Sequence, residues 1–219
     1  VANHRWTIST SSCQSEVRLN DLMKKQIVII HGGDSFGTYE KFLDSLKNRK
    51  ASVESFLPKS SWKGSLSEEL GEKYEILSPR MPNKQNAKYA EWKIWFERML
   101  PFLRDGVILI GHSSGGLFLA KYLSENVFPQ KIGALFLVAP PHNQTEDIGS
   151  FRLTNDLQKV WEQCQNIHIF QSEDDQVVLS SEAEFYQKAW PDAKLPMFQD
   201  RGHFNQEKFP EIVGEIKKF

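Results

Sequence analysis

Val107-Ile108-Leu109-Ile110-Gly111-His112-Ser113-Ser114-Gly115-Gly116 is the stretch on which the fold turns. A short apolar run of strand length enters it, and an amphipathic pattern from Ser114 to about Ser124 leaves it. Between them lies Gly-x-Ser-x-Gly, with Gly111, Ser113 and Gly115 in the fixed places. A sharp strand-to-helix turn strains the backbone of its central residue and lifts that side chain off the sheet edge. Residues two positions to either side must then be small, and glycine occupies both. The following helix points free N–H groups at whatever Ser113 binds. The bland reading of Ser113 is a helix N-cap. Ser114, one place off the pattern, is the competing hydroxyl. His112 is expected on a pocket wall, because its side chain diverges from that of Ser113 at so tight a turn.

Working outward, further apolar runs of strand length are Gln26–Ile30, Tyr74–Leu77, Ala134–Val138, Ile167–Gln171 and Leu195–Phe198. They are continuous rather than alternating, as expected of parallel strands covered on both faces. Helical spacing falls between them. Tyr39–Lys47 sets Phe42, Leu43 and Leu46 on one side. Ala87–Leu103 repeats large apolar residues at intervals of three and four, from Tyr89 through Trp92 and Phe96 to Leu103. Asn155–Cys164, Ser181–Ala189 and Glu207–Lys218 follow, the last with Phe209, Ile212, Val213 and Ile216 inward. This alternation predicts a doubly wound, mainly parallel α/β sheet of about six strands flanked by helices. The segment 51–71, with an exposed-looking Trp62, reads as a loop with one short helix, or as a flap over a site. Pro140-Pro141-His142-Asn143 follows a buried strand, on the edge where α/β ligand sites sit.

A serine hydroxyl needs a base to take its proton. After such an elbow the partners come in the order Ser, Asp/Glu, His, and three histidines follow Ser113. His168 lies inside a strand. His142 precedes any suitable acid. His203, in Asp200-Arg201-Gly202-His203-Phe204, occupies a loop between the last strand and the last helix and is the favoured base. The acid should end the preceding strand, where Ser172-Glu173-Asp174-Asp175-Gln176-Val177-Val178 offers three. Asp175 fits best, with Asp174 the alternative. Backbone N–H groups of Ser114 and of Gly33, in His31-Gly32-Gly33-Asp34-Ser35 after the first strand, are the candidate donors to a substrate oxyanion. Asp34 is the alternative second donor. The bland reading of that loop is a glycine turn with Asp34 or Ser35 capping a helix. Phe36, Trp62, His112, Pro141 and His142 are candidate pocket residues.

Composition narrows the function classes. In 219 residues, 27 Lys and Arg meet 28 Asp and Glu, for a formal net charge of -1. No field of either sign recommends nucleic acid or an anionic membrane as partner. The longest nearly apolar stretch, 133–141, is far too short to span a bilayer. Cys13 and Cys164 read as free thiols in a reducing compartment, so the expected location is cytoplasmic. No metal-ligand spacing or nucleotide-binding loop is present in the sequence. Residues 1–22 are polar and lack a clear period. They read as an N-terminal extension before Met23 and a single domain over 23–219, the competing reading being a genuine N-terminal arm.

The ordered set His31-Gly32-Gly33, Gly111-His112-Ser113-Ser114-Gly115, Asp174-Asp175 and Gly202-His203-Phe204 resembles the α/β-hydrolase superfamily. His112-Ser113-Ser114-Gly115 and Arg80-Met81-Pro82 resemble its branch of small serine hydrolases that groups YdeN with retinoblastoma-binding protein nine. The resemblance covers roughly 26–219. It implies a serine hydrolase acting on carboxylic esters or related acyl compounds, with Ser113, Asp175 and His203 as triad, no metal or other cofactor and no large cap domain. The implied partner is a small-molecule acyl substrate, with the chain a monomer or small homo-oligomer. Gln176 departs from the branch, where proline often follows the acid. No Leu-x-Cys-x-Glu motif surrounds either cysteine, so retinoblastoma binding does not carry over. A non-catalytic module on a hydrolase scaffold and an acyltransferase using the same triad are the alternative functions.

Overall fold

The computed structural model describes residues 24–154 and 156–219. The expectations for residues 1–22, for Cys13 and Met23, and for a helix start at Asn155 lie outside the described residues. Six parallel strands form the sheet: β1 (Lys25–Ile30), β2 (Tyr74–Leu77), β3 (Val107–His112), β4 (Ile132–Val138), β5 (Ile167–Ser172) and β6 (Met197–Phe198). Their order is β2-β1-β3-β4-β5-β6. The chain leaves β1 toward one edge and returns as β3 on its other side. The β1 and β3 exits therefore diverge at the carboxyl edge and leave a crevice there.

Continuous apolar strands feed two cores, because successive side chains point to opposite faces. Val28, Ile30, Leu109, Leu135 and Leu137 enter one core. Ile27, Ile29, Ile108, Ile110, Phe136 and Val138 enter the other. The first core is covered by α3 (Tyr89–Glu97), α4 (Ser114–Glu125), α5 (Gln158–Gln163) and α6 (Glu182–Ala189). The second is covered by α2 (Trp62–Leu70) and α7 (Pro210–Ile216).

Several elements differ from the sequence expectation for identifiable reasons. The helix expected over 87–103 gives way after Glu97 to a 3-10 turn at Leu100–Phe102; Pro101 has no N–H to continue the α-helical ladder. β6 is short because Pro196 separates it from the bridge between His168 and Lys194. Helix α1 (Tyr39–Asn48) forms where spacing placed it, capped by Thr38, yet none of its residues is buried. Amphipathic spacing there does not report core packing. Trp62, expected exposed, is fully buried. Its indole N–H donates to the Phe204 carbonyl at 2.9 Å, and its ring meets Phe209 edge-on. Among the described residues no helix is long and apolar enough to cross a membrane, and Cys164 is a buried free thiol.

Candidate active site

The β3–α4 turn holds Ser113 at φ 54° and ψ −127°, a left-handed backbone that a non-glycine residue adopts at a cost of about 1–3 kcal/mol. The sheet enforces it. Ser113 N–H donates to the Val138 carbonyl at 2.8 Å, and the Ser113 carbonyl accepts from Gly116 N–H at 2.8 Å. A Cβ on Gly111 would stand 2.5 Å from the Gly115 carbonyl, and one on Gly115 would stand 2.2 Å from that of Ile30. Both positions therefore exclude a side chain. Ser113 occupies the N-cap place of α4, but its side chain makes no capping hydrogen bond. The N-cap reading thus fails, and the hydroxyl faces the cleft.

Asp175 and His203 meet at the edge formed by the β5 and β6 exits. His203 Nδ1 lies 2.8 Å from Asp175 Oδ2, and the Asp175 side chain has no exposed surface. A carboxylate can only accept, so Nδ1 carries the proton and Nε2 is left as the basic nitrogen. The other carboxylate oxygen accepts from Val177 N–H at 2.8 Å and Val178 N–H at 3.0 Å. Burial pushes the Asp175 carboxyl up. The His203 bond, the Val178 N–H, the His203 charge and the Val177 N–H together outweigh it, and the net shift is downward. Asp174 points elsewhere: it accepts from Ser172 Oγ and from Gly202 N–H at 2.8 Å, which ties the two loops together. Geometry thus separates two acids that sequence left adjacent.

His203 is also held through its backbone. Its carbonyl accepts from His112 Nε2 at 2.9 Å. A carbonyl cannot donate, so His112 carries its proton on Nε2 and presents Nδ1 to Lys63 Nζ at 3.5 Å. Burial first, and then the Lys63 and His203 charges, push His112 well below the ordinary histidine value. His112 is therefore neutral at pH 7. It lines the cleft as expected, and it also braces His203, which sequence reasoning missed.

Across the cleft, the loop after β1 approaches the elbow. Ser114 Oγ donates to the Gly33 carbonyl at 2.6 Å. That bond occupies the competing hydroxyl and joins the two loops. Asp34 N–H is taken by the Lys84 carbonyl at 2.9 Å, so Asp34 is displaced as the alternative donor. The N–H groups of Gly33 and Ser114 have no acceptor among the described residues. Neither Asp34 nor Ser35 caps α1, since Thr38 does, and Ser35 Oγ donates to the Ala87 carbonyl. His31 Nε2 accepts from Met81 N–H at 3.0 Å, leaving its Nδ1–H to hold the Gly32 carbonyl at 2.7 Å. Arg80-Met81-Pro82 thereby acquires a structural purpose: its central N–H sets the His31 tautomer.

Ser113 stands between two lobes. One, about 410 Å³, is lined by Ser113, His203, His112, His31, Lys63 and Lys84 among others. The other, about 300 Å³, is lined by Ser113, Ser114, Phe36, Pro141, Ile148 and Val178 among others. Phe36 and Pro141 thus sit where expected. His142 does not line either lobe: its ring stacks on Phe185 at 4.6 Å, and its backbone N–H donates to the Glu182 carboxylate at 2.6 Å. Trp62 lies behind His112, edge-on at 6.2 Å, and lines neither lobe. Segment 51–71 does contribute to the site, through Lys63. Among the described residues no cluster of three or more His, Cys, Asp or Glu could hold a metal ion. The hydroxyl of Ser113 and the ring of His203 share no hydrogen bond among the described residues. Such contacts are often long before substrate binds.

A parallel six-stranded sheet covered on both faces, with an elbow serine after β3, defines an α/β hydrolase. The chain belongs to the serine hydrolase family, whose sequence pattern matches residues 58–211. It is 29% identical to the serine hydrolase RBBP9 of Rattus norvegicus over 152 residues, covering 66% of this chain and 77% of that protein. Its fold superposes on the ydeN gene product of B. subtilis with a TM-score of 0.70 at 21% identity, covering 89% of this chain and 98% of the other. Est1E from Butyrivibrio proteoclasticus, solved with ferulic acid bound, shares the fold at a TM-score of 0.53 and 14% identity, over 89% of this chain and 87% of that one. Both likenesses fall within the branch that the sequence motifs resemble, the one that groups YdeN with retinoblastoma-binding protein nine.

Proposed function

We propose that the protein hydrolyses carboxylic esters through an acyl-enzyme on Ser113. His203 Nε2 takes the Ser113 proton as Oγ bonds to the acyl carbon. The carbonyl electron pair moves onto oxygen, facing the N–H groups of Gly33 and Ser114. Collapse of that intermediate expels the alcohol, which receives the proton from His203. Water then repeats the sequence: His203 takes its proton, the hydroxyl attacks the acyl carbon, and Ser113 Oγ leaves with the proton returned. Asp175 keeps the His203 proton on Nδ1 and stabilises the imidazolium in each half-reaction.

The single observation that carries this reading is the 2.8 Å bond from His203 Nδ1 to a fully buried Asp175, in a loop that shares a cleft with the strained Ser113. The family membership supports hydrolysis, and the ester class is our reading of the site. Turnover of p-nitrophenyl acetate and p-nitrophenyl butyrate by the wild-type chain and Ser113→Ala tests it. We expect turnover in the wild type that is lost in the variant. Equal turnover in both would overturn the assignment.

A further inference from the structure

The lobe beside His203 holds more cations than counter-charges. Arg49, Lys63 and Lys84 line it, and Asp34 is the one carboxylate among its lining residues. Asp34 is already committed, 2.6 Å from Arg49. Among the described residues, neither Lys63 nor Lys84 has a carboxylate within ion-pair distance. Lys63 instead rests over the Trp62 ring and reaches His112 Nδ1. Its position is fixed from below: Trp62 is pinned to Phe204 by its indole, and its N–H donates to the Gln206 carbonyl at 3.0 Å. The helix that presents Lys63 is therefore tied to the loop that presents His203. Burial, and then the Lys84 charge, push the Lys63 ammonium down to about 8. An unpaired, partly desolvated cation is unfavourable by itself. An anion in the lobe would relieve both the desolvation and the mutual repulsion of the two lysines.

The geometry points to a substrate carrying a negatively charged group, a carboxylate or phosphate, which Lys63 and Lys84 receive while the acyl carbon sits at Ser113. This rests on the esterase reading and adds its substrate class. The opposite lobe shares the Arg49–Asp34 pair but has Glu146 and Asp147 in place of the two lysines, beside Phe36, Pro141 and Ile148, so charge also sets the direction in which substrate lies.

The test compares p-nitrophenyl butyrate with p-nitrophenyl hemiglutarate, charged on the acyl side, and p-nitrophenyl acetate with 3-carboxy-4-nitrophenyl acetate, charged on the leaving side. We expect at least one charged ester to exceed its neutral counterpart by about tenfold in kcat/KM, as one charge-assisted hydrogen bond allows. That advantage should shrink with added salt and fall toward parity in both Lys63→Met and Lys84→Met, which alter two separate elements. Which pair shows the advantage assigns the lobe to the acyl or the leaving side. No advantage in the wild type, or one that both variants retain, overturns the proposal. If no ester is turned over, the esterase reading fails by itself. Calorimetric titration of Ser113→Ala with monomethyl glutarate and dimethyl glutarate then decides the anion site. Tighter binding of the anion, lost in Ser113→Ala/Lys63→Met, supports it, and equal or undetectable binding of both overturns it.

Discussion

Asp175→Asn separates what the carboxylate does for the histidine from what it does for the fold. Asp175 accepts three hydrogen bonds, two from Val177 and Val178 N–H and one from His203 Nδ1. An asparagine can keep its oxygen toward the two backbone donors. Its amide nitrogen then faces His203 Nδ1 and can only donate. The imidazole must present a lone pair there and move its proton to Nε2, the atom that has to receive the proton of Ser113. The fold keeps its backbone contacts, while the base is held in the unusable tautomer. The expected loss in kcat is about 10⁴-fold, or about 5.5 kcal/mol, the size known for this exchange in the chymotrypsin-type triad. Asp175→Ala differs in a telling way. It leaves the buried Val178 N–H and the half-buried Val177 N–H without their acceptor and should lower unfolding free energy by about 2 kcal/mol besides losing activity. Asp174→Asn should retain most of kcat, since Asp174 contacts Ser172 and Gly202 and not His203. Steady-state kinetics with p-nitrophenyl acetate and urea denaturation of all three variants read these outcomes. Asp175→Asn with kcat within tenfold of wild type would refute the reasoning, as would a larger loss in Asp174→Asn.

A Cβ at Gly33 would stand 2.6 Å from the Lys84 carbonyl and 3.2 Å from the Trp92 ring, so Gly33→Ala must displace the loop; kcat should fall about 10²-fold with far less change in KM, and an unaltered kcat would remove Gly33 from its proposed role. His168 is buried and stacked on Phe136, and burial first, then the Lys194 charge, push it down to about 4. The unfolded chain therefore binds a proton that the folded chain refuses, so its contribution is present above pH ~6.5 and is lost as the pH falls toward 4, by at most about 3 kcal/mol. His168→Phe should show a shallower loss of urea stability between pH 7 and pH 4.5 than the wild type, and identical losses would contradict the burial argument.

The sheet was legible because a strand buried on both faces needs an unbroken apolar run. Gln26–Ile30 and Ala134–Val138 are such runs, and their alternate residues fill the two cores. The elbow was legible because its requirement is steric and local: Gly111 and Gly115 have no space for a side chain. His203 was favoured by chain order and Asp175 by its place before Val178; what the sequence could not show is the turn that sets the Asp175 carboxylate against His203 while Asp174 faces Ser172 and Gly202. Lys63 and Trp62 were not legible. Segment 51–71 carries no sustained period, and what buries Trp62 is the Phe204 carbonyl and the Phe209 ring, far away in sequence. The bracing role of His112 was hidden for the same reason, since its acceptor is a backbone carbonyl that no residue type announces. Helix α1 shows the converse: Leu43 and Leu46 have inward spacing and remain exposed, because no sheet surface lies beneath them.

The central claim is that Ser113 Oγ is the attacking atom, made nucleophilic by His203. A fluorophosphonate probe traps a serine only where a hydroxyl, a base and oxyanion donors coincide. Labelling the wild type, Ser113→Ala and His203→Ala, with the adduct mapped by peptide mass spectrometry, tests that claim most directly. The account predicts one phosphonate on Ser113 in the wild type, none in Ser113→Ala and strongly slowed labelling in His203→Ala. An adduct on Ser114 or another residue, or labelling of the wild type no faster than that of Ser113→Ala, would contradict it.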